Sequence, residues 1–207
     1  VVHAPTGAGK TYVFELFVES SRSTKATYTV PTRALANDKF REWSERGWDV
    51  GLTTGDVRHR PEARIVVATL ETQRAAMLRG EGPDLFVVDE YQLGGDAQRG
   101  PGYEVTIAAA PPSTQLLLMS GSVANPVEVA DWLSGRGRKV ELVSEGRRPV
   151  PLDEVFAEAL LKRAPGREAI RGAWPRLVDG ILSAGMGPVL LFAPRRAAAE
   201  DLARKLA

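Results

Sequence analysis

Two stretches of this chain carry residue types whose spacing could handle a nucleoside triphosphate. The first is Ala4-Pro5-Thr6-Gly7-Ala8-Gly9-Lys10-Thr11, near the amino terminus. Gly7 and Gly9 have no Cβ, so successive backbone N–H groups can converge on one anion and let phosphate oxygens approach closely. Pro5, Thr6 and Ala8 complete the cradle, Lys10 would reach the β- and γ-phosphates, and the Thr11 hydroxyl would hold Mg2+. The pattern is the variant A-x-x-G-x-G-K-T, with Ala4 where glycine is usual. The plainer alternative is a glycine-rich helix cap with a solvated lysine. The second stretch is Phe86-Val87-Val88-Asp89-Glu90-Tyr91-Gln92, an apolar strand delivering two carboxylates at its end. Asp89 would order the magnesium shell and Glu90 would polarise an attacking water. Neighbours on an extended backbone point to opposite sides, so one could face metal and the other water. A surface Asp-Glu pair ending a strand is the alternative there.

The elements that must position these residues follow from hydrophobic pattern. Val1-Val2 leads into the glycine turn as a strand, and Val13, Leu16 and Phe17 give helical spacing from Tyr12 to Ser20. Ala26–Val30 is short and β-prone and stops at Pro31. Thr32 caps a helix reaching Trp43. Further strands are predicted at Val50–Thr53, Ile65–Ala68, Leu85–Asp89, Gln115–Ser120 and Lys139–Val143, most of them separated by helix-length segments. That alternation implies an α/β fold with a mostly parallel sheet and helices on both faces, in which ligands collect at the carboxyl ends of the strands. Ser120-Gly121-Ser122 closes one such strand, and its hydroxyls could bond the acidic site, although a polar turn would look the same. Asn125 as N-cap, Pro126, Glu128 and Gly135 mark a helix with structural signals only.

Composition sets limits. The 207 residues are 43% hydrophobic and 26% charged, ordinary for a globular sequence, and contain no cysteine. Disulfides and a thiolate zinc site are therefore excluded. No apolar run approaches the ~20 residues of a membrane span, and no basic, leucine-rich leader opens the sequence, so no membrane partner and a cytoplasmic location are expected. With 27 basic and 26 acidic residues, any nucleic-acid contact must come from placed groups rather than bulk charge. His3 and His59 have no metal-like spacing. Trp43, Trp48, Trp132 and Trp174 could stack bases but suit core or boundary positions as well. The Arg136-Arg138-Lys139 and Arg147-Arg148 groups could contact phosphates or flank turns as solvated charges.

Taken in order, these motifs resemble a superfamily 2 helicase, and more narrowly the superkiller-like branch of the DExH-box helicases, whose members unwind RNA or, in some cases, DNA. Ala4 to Thr11 is similar to motif I, Pro31-Thr32-Arg33-Ala34-Leu35-Ala36 to motif Ia, Thr54-Gly55-Asp56 to motif Ib, and Ala68-Thr69-Leu70-Glu71 to the next strand-end motif. Asp89-Glu90-Tyr91-Gln92 resembles motif II and Ser120-Gly121-Ser122 motif III. The branch is suggested by DEYQLGGDAQRGPGYE from Asp89, SVANPVEVADW from Ser122, and Arg148-Pro149-Val150-Pro151-Leu152. Gly187 to Ala207 is similar to the opening strand and helix of a second RecA-like domain. Gln92 stands where histidine is commoner, and Gly121 where alanine is usual.

The resemblance implies a RecA-like P-loop NTPase fold: residues 1–143 as a first ATP-binding domain, 144–187 as an interdomain connection, and 188–207 as the start of the second domain. It implies ATP and Mg2+ as cofactors, with Lys10, Asp89 and Glu90 catalytic, Thr11 and Asp89 on the metal, and Gln92, Ser120 and Ser122 coupling. It further implies a single-stranded nucleic acid, RNA favoured over DNA, held by Pro31, Thr32, Arg33, Thr54, Gly55, Thr69 and Glu71. The partner domain would be the second RecA-like domain of the same parent chain, which would bring the arginine fingers, so these residues alone are expected to show little stimulated ATPase. The function expected is an ATP-dependent helicase or translocase. A nucleotide-dependent clamp without unwinding, or another P-loop enzyme, is the alternative. A GTPase would need an N-K-x-D base-reading motif, which Asn37-Asp38-Lys39 does not fit, and a small-molecule kinase gives no reason for the Pro31 or Ser120 motifs.

Overall fold

The computed structural model describes residues 1–156, 173–193 and 195–206. In chain order the first unit holds β1 (Val2–His3), α1 (Lys10–Ser20), β2 (Ala26–Val30), α2 (Arg33–Glu45), β3 (Val50–Thr53), β4 (Arg58–His59), β5 (Ile65–Thr69) and α3 (Leu70–Leu78). It continues with β6 (Leu85–Asp89), a 3-10 turn (Tyr91–Gly95), α4 (Gly100–Ala108), β7 (Gln115–Ser120), α5 (Pro126–Ser134) and β8 (Val143–Ser144). The sheet has eight strands in the order β4-β3-β5-β2-β6-β7-β1-β8. Among the described residues only the β3–β4 pair is antiparallel.

Alternation along the strands sorts the core into two layers. Leu85 and Val87 of β6 join Tyr28, Ile65 and Met119 under Phe14 and Val18 of α1 and Trp43 of α2. Phe86 and Val88 join Leu118 on the opposite face, under Leu70 and Met77 of α3, Tyr103 and Ile107 of α4 and Leu133 of α5. Both faces are covered, which is why β2 and β5 read as buried runs rather than polar alternation.

Three sequence expectations change. The last strand pairs only at Val143 and Ser144, not from Lys139, because β1 offers just Val2 and His3 to pair with. Asn125 does not bond a backbone N–H of α5; its Nδ2 donates to Glu128 Oε2 at 2.5 Å, so the two polar groups satisfy each other. Residues 188–193 form no strand, with Leu190 and Phe192 exposed at 94% and 87%. Among the described residues no strand lies beside them to take their backbone hydrogen bonds. Residues 151–207 cluster as a second unit, with α6 (Ala173–Ser183) and α7 (Arg196–Leu206) as its described helices. Leu177, Val178, Ile181 and Leu182 lie on α6, whereas part of the expected connection, residues 157–172, lies outside the described residues.

Candidate nucleotide and nucleic-acid site

Because β1, β2, β3, β5, β6 and β7 run parallel, their carboxyl ends share one edge of the sheet, and every motif residue follows such an end. The glycine turn leaves β1 with Ala4 N donating to Ser120 O at 3.0 Å, which ties it to the end of β7. Gly7 and Gly9 adopt φ of 85° and 82°, the left-handed region that a side chain would strain. Gly9 is the N-cap of α1 and no side chain caps that helix, so its first N–H groups remain available to an anion at the positive end of the helix dipole. Lys10 Nζ donates to Ala4 O at 2.8 Å and Pro5 O at 3.2 Å, folded back over the turn instead of extending into solvent. A Cβ at position 121 would lie 3.1 Å from that ammonium, so the glycine there leaves Lys10 its room.

The acidic strand end meets the cradle through a residue that sequence spacing alone does not single out. Tyr28, fully buried on β2, donates its hydroxyl to Asp89 Oδ2 at 2.8 Å and stands 3.5 Å from Thr11 Oγ1. Burial and the nearby Asp89 charge push the Tyr28 hydroxyl far above its ordinary pKa, so it stays protonated and donating. Asp89 Oδ1 accepts the Glu90 backbone N–H at 3.1 Å. Burial, and then the Glu90 charge, raise the Asp89 carboxyl above its usual range against the opposing pull of Tyr28, the Glu90 N–H and Lys10. One hydroxyl and one carboxylate, Thr11 and Asp89, form the donor set Mg2+ uses when phosphate oxygens and water fill the rest of its octahedron. These residues could therefore hold MgATP.

Glu90 is not aimed by strand alternation. Its φ of 54° and ψ of 50° place it in the left-handed region, where the chain leaves β6 for the 3-10 turn. The kink replaces the expected opposite-face geometry and sends its carboxylate to Gln92, whose Nε2 donates to Oε2 at 2.6 Å. Gln92 Oε1 in turn accepts from Ser120 Oγ at 2.5 Å, and Ser120 Oγ accepts the Ser122 backbone N–H at 3.2 Å. Gln92 and Ser120 thus link the candidate water-activating group to the end of β7, and Ser122 joins through its backbone N–H instead of the expected hydroxyl, because that N–H faces Ser120 Oγ across the turn. Glutamine can serve this link because its amide donates at one atom and accepts at the other.

The residues expected to meet nucleic acid gather on the β2, β5 and β3 side of the same edge. Arg33 is exposed and spreads over Gly55, a Cβ there lying 3.1 Å from its guanidinium, with Asp56 Oδ2 at 3.4 Å. Hydroxyls of two threonines are already used: Thr32 accepts Leu35 N at 3.2 Å as the α2 cap, and Thr54 donates to Asp56 at 2.7 Å. Thr69 ends β5 without a side-chain cap bond to α3. Glu71 and the Pro31 carbonyl are both gripped by Arg99, at 2.6 and 2.8 Å. Arg99 lies in the DEYQLGGDAQRGPGYE run that the sequence singles out, but its role is given only by these contacts. Trp43 is fully buried, Arg136 stacks over Trp132 at 5.2 Å, and Arg138 donates to the carbonyls of Ala110, Pro111 and Thr114, so these groups serve packing rather than phosphate.

Residues 1–129 match the family model described as DEAD/DEAH box helicase. The chain is similar to the DExH-box ATP-dependent RNA helicase DExH15 of Arabidopsis thaliana, 38% identical over 76% of this chain and 15% of the relative. It is also similar to the ATP-dependent DNA helicase Hel308 of Pyrococcus abyssi, 31% identical over 100% of this chain and 30% of that protein. The chain thus spans less than a third of the length of either relative. Among solved structures, a Dbp5 variant of S. cerevisiae bound to RNA and ADP BeF3 superposes over 100% of this chain and 55% of its own, with a TM-score of 0.65 at 20% identity, which speaks for the fold. The glycine turn, the acidic strand end and the family match agree: this chain belongs to the DEAD/DEAH box helicase family.

Proposed function

We propose that this chain is the ATP-binding motor unit of an ATP-dependent helicase or translocase acting on single-stranded nucleic acid, with RNA preferred over DNA. The observation that carries the reading is the Tyr28 hydroxyl lying between Thr11 and Asp89, which brings the phosphate cradle and the acidic strand end into one site. In this reading the cradle residues Pro5 to Thr11 bind ATP, Thr11 and Asp89 hold Mg2+, and Glu90 orients and deprotonates the attacking water. Gln92, Ser120 and Ser122 report occupancy of that site. Arg33, Gly55 and the backbone N–H groups near Pro31, Thr32, Thr54, Thr69 and Glu71 grip the sugar-phosphate without reading sequence. Residues 1–143 form the first motor domain, 144–187 the connection, and 188–207 the start of the second. The partner domain closes over ATP from the same parent chain.

RNA is favoured because the more identical of the two relatives is named an RNA helicase, although Hel308 is named a DNA helicase. The test is ATP hydrolysis by the full-length protein containing this chain, with single-stranded RNA and single-stranded DNA offered separately. Stimulation by both, larger for RNA, is the expected result. Stimulation by DNA alone would reverse the preference, and turnover unaffected by either strand would contradict a motor.

A further inference from the structure

Arg99 makes more bonds across the site edge than its position in a surface turn requires. Its Nε and Nη2 donate to Glu71 Oε1 at 3.0 and 2.6 Å, and Nη2 also donates to the Pro31 carbonyl at 2.8 Å. One guanidinium therefore joins the end of β2 to the first turn of α3, the two places expected to meet a strand. A planar fork can bridge two acceptors in this way, which an ammonium cannot match. Arg99 also neutralises Glu71, a carboxylate that would otherwise repel a phosphate backbone at that turn.

The same residue ends the segment that begins at Glu90. Leu93 N donates to Glu90 O, Asp96 N to Leu93 O, and Gly100 N to Asp96 O at 3.2, 3.1 and 2.7 Å. Asp96 Oδ1 accepts the backbone N–H groups of Gln98 and Arg99 at 2.9 and 2.8 Å. Gly100 packs so closely on Gly94 that a Cβ would lie 2.2 Å from the Gly94 carbonyl oxygen. Residues 90–100 are therefore knitted into one body with two anchors. The Gln92 to Ser120 bond holds it on the nucleotide side, and the Arg99 fork holds it on the groove side.

We propose that this body is the mechanical link between the triphosphate site and the strand groove, and that Arg99 is its groove-side positioning residue, setting how strongly bound nucleotide changes the grip on a single strand. The inference rests on the motor reading above. A shift of Glu90 or Gln92 with the nucleotide state moves Arg99, and with it Pro31 and Glu71. The link works in both directions, because coupling between two ligands is reciprocal.

The experiment measures binding of a fluorescent 20-nucleotide oligo(U) to the full-length protein, with and without a non-hydrolysable ATP analogue and Mg2+. It also measures binding of the analogue without RNA. The unaltered protein should show a coupling ratio within the ~5- to 150-fold range typical of linked sites. Arg99→Ala should bring that ratio close to one while leaving analogue affinity without RNA unchanged. Arg99→Lys, which keeps a charge beside Glu71 but not the fork, should lose most of the coupling as well. Wild-type coupling in either variant overturns the role of the fork, as does an equal loss of analogue affinity without RNA. An unaltered protein in which nucleotide leaves strand affinity unchanged would sink the motor reading itself.

Discussion

At the scale of single residues, Glu90 illustrates how strain serves a site. A non-glycine residue in the left-handed region costs about 1–3 kcal/mol, and it persists only where its surroundings hold it. Here the backbone N–H is fixed by Asp89 Oδ1 and the carboxylate by Gln92. Glu90→Gln keeps the shape and removes the proposed base, so ATP should still bind while turnover in the full-length protein falls by roughly 100- to 10,000-fold. Single-turnover hydrolysis beside nucleotide titration would check this, and unimpaired turnover would remove Glu90 from the reaction. Tyr28 acts one step further back. Tyr28→Phe preserves ring packing but frees Asp89 Oδ2, the proposed Mg2+ ligand, and loss of such a partner behind a metal ligand costs about 10- to 100-fold in metal affinity. The part of nucleotide affinity that depends on Mg2+ should fall by that order, while affinity in EDTA stays unchanged. Equal affinity losses in EDTA and Mg2+ would make Tyr28 a packing residue only. Since Asp89 is shifted upward by burial and by Glu90, it takes up a proton at a higher pH than an ordinary aspartate, about 3.9. In the metal-free protein, an NMR titration of the carboxyl groups should therefore show Asp89 taking up its proton, as pH falls, before a normal carboxylate does. A midpoint at or below that ordinary value would contradict the shift.

At the scale of elements, the cradle is fixed by what lies beneath α1. Phe14, Tyr28 and Trp43 pack with ring centroids 4.8 to 5.2 Å apart, joining α1, β2 and α2 directly below Thr11 and Asp89. Trp43 Nε1 donates to the buried Glu15 at 3.0 Å, and Arg46 pairs with the same carboxylate at 2.8 Å. Trp43→Ala removes the ring and one partner of a buried carboxylate, and should cost about 3–5 kcal/mol in urea-induced unfolding. A loss below about 1 kcal/mol, the ordinary effect of a point substitution, would mean that the cluster does not support the site. Such elements were legible where local pattern decides them. The β2, β3, β5, β6 and β7 ranges follow from apolar runs stopped by turn residues, and the Thr32 cap forms as its residue type implies. The failures are positions where tertiary partners decide. Asn125 prefers Glu128 to the helix N–H groups, β8 is limited by the length of β1, and the kink at Glu90 depends on Gln92 and Asp89 together.

At the scale of the molecule, strand order does the organising. β6 and β7 insert between β1 and β2, so residues distant in sequence meet at one edge: the glycine turn after β1, the carboxylates after β6, the serines after β7. The strand-contact candidates follow β2, β5 and β3 next to them. Sequence motifs identified nearly every member of this edge. They could not reveal Tyr28, which sits mid-strand with no local signal, or the Arg99 fork, whose acceptors lie 28 and 68 residues away in sequence. Among the described residues no helix is long and apolar enough to cross a membrane. In the proposed motor, Lys10 and Asp89 together grip one magnesium-bound triphosphate. Calorimetric titration of a non-hydrolysable ATP analogue into the unaltered protein, Lys10→Ala and Asp89→Asn, each with Mg2+ and with EDTA, tests it directly. Lys10→Ala should weaken binding by about 2 kcal/mol or more, a ~30-fold loss, in both conditions, and Asp89→Asn should abolish only the gain that Mg2+ gives. Unchanged affinity in both variants would contradict the account.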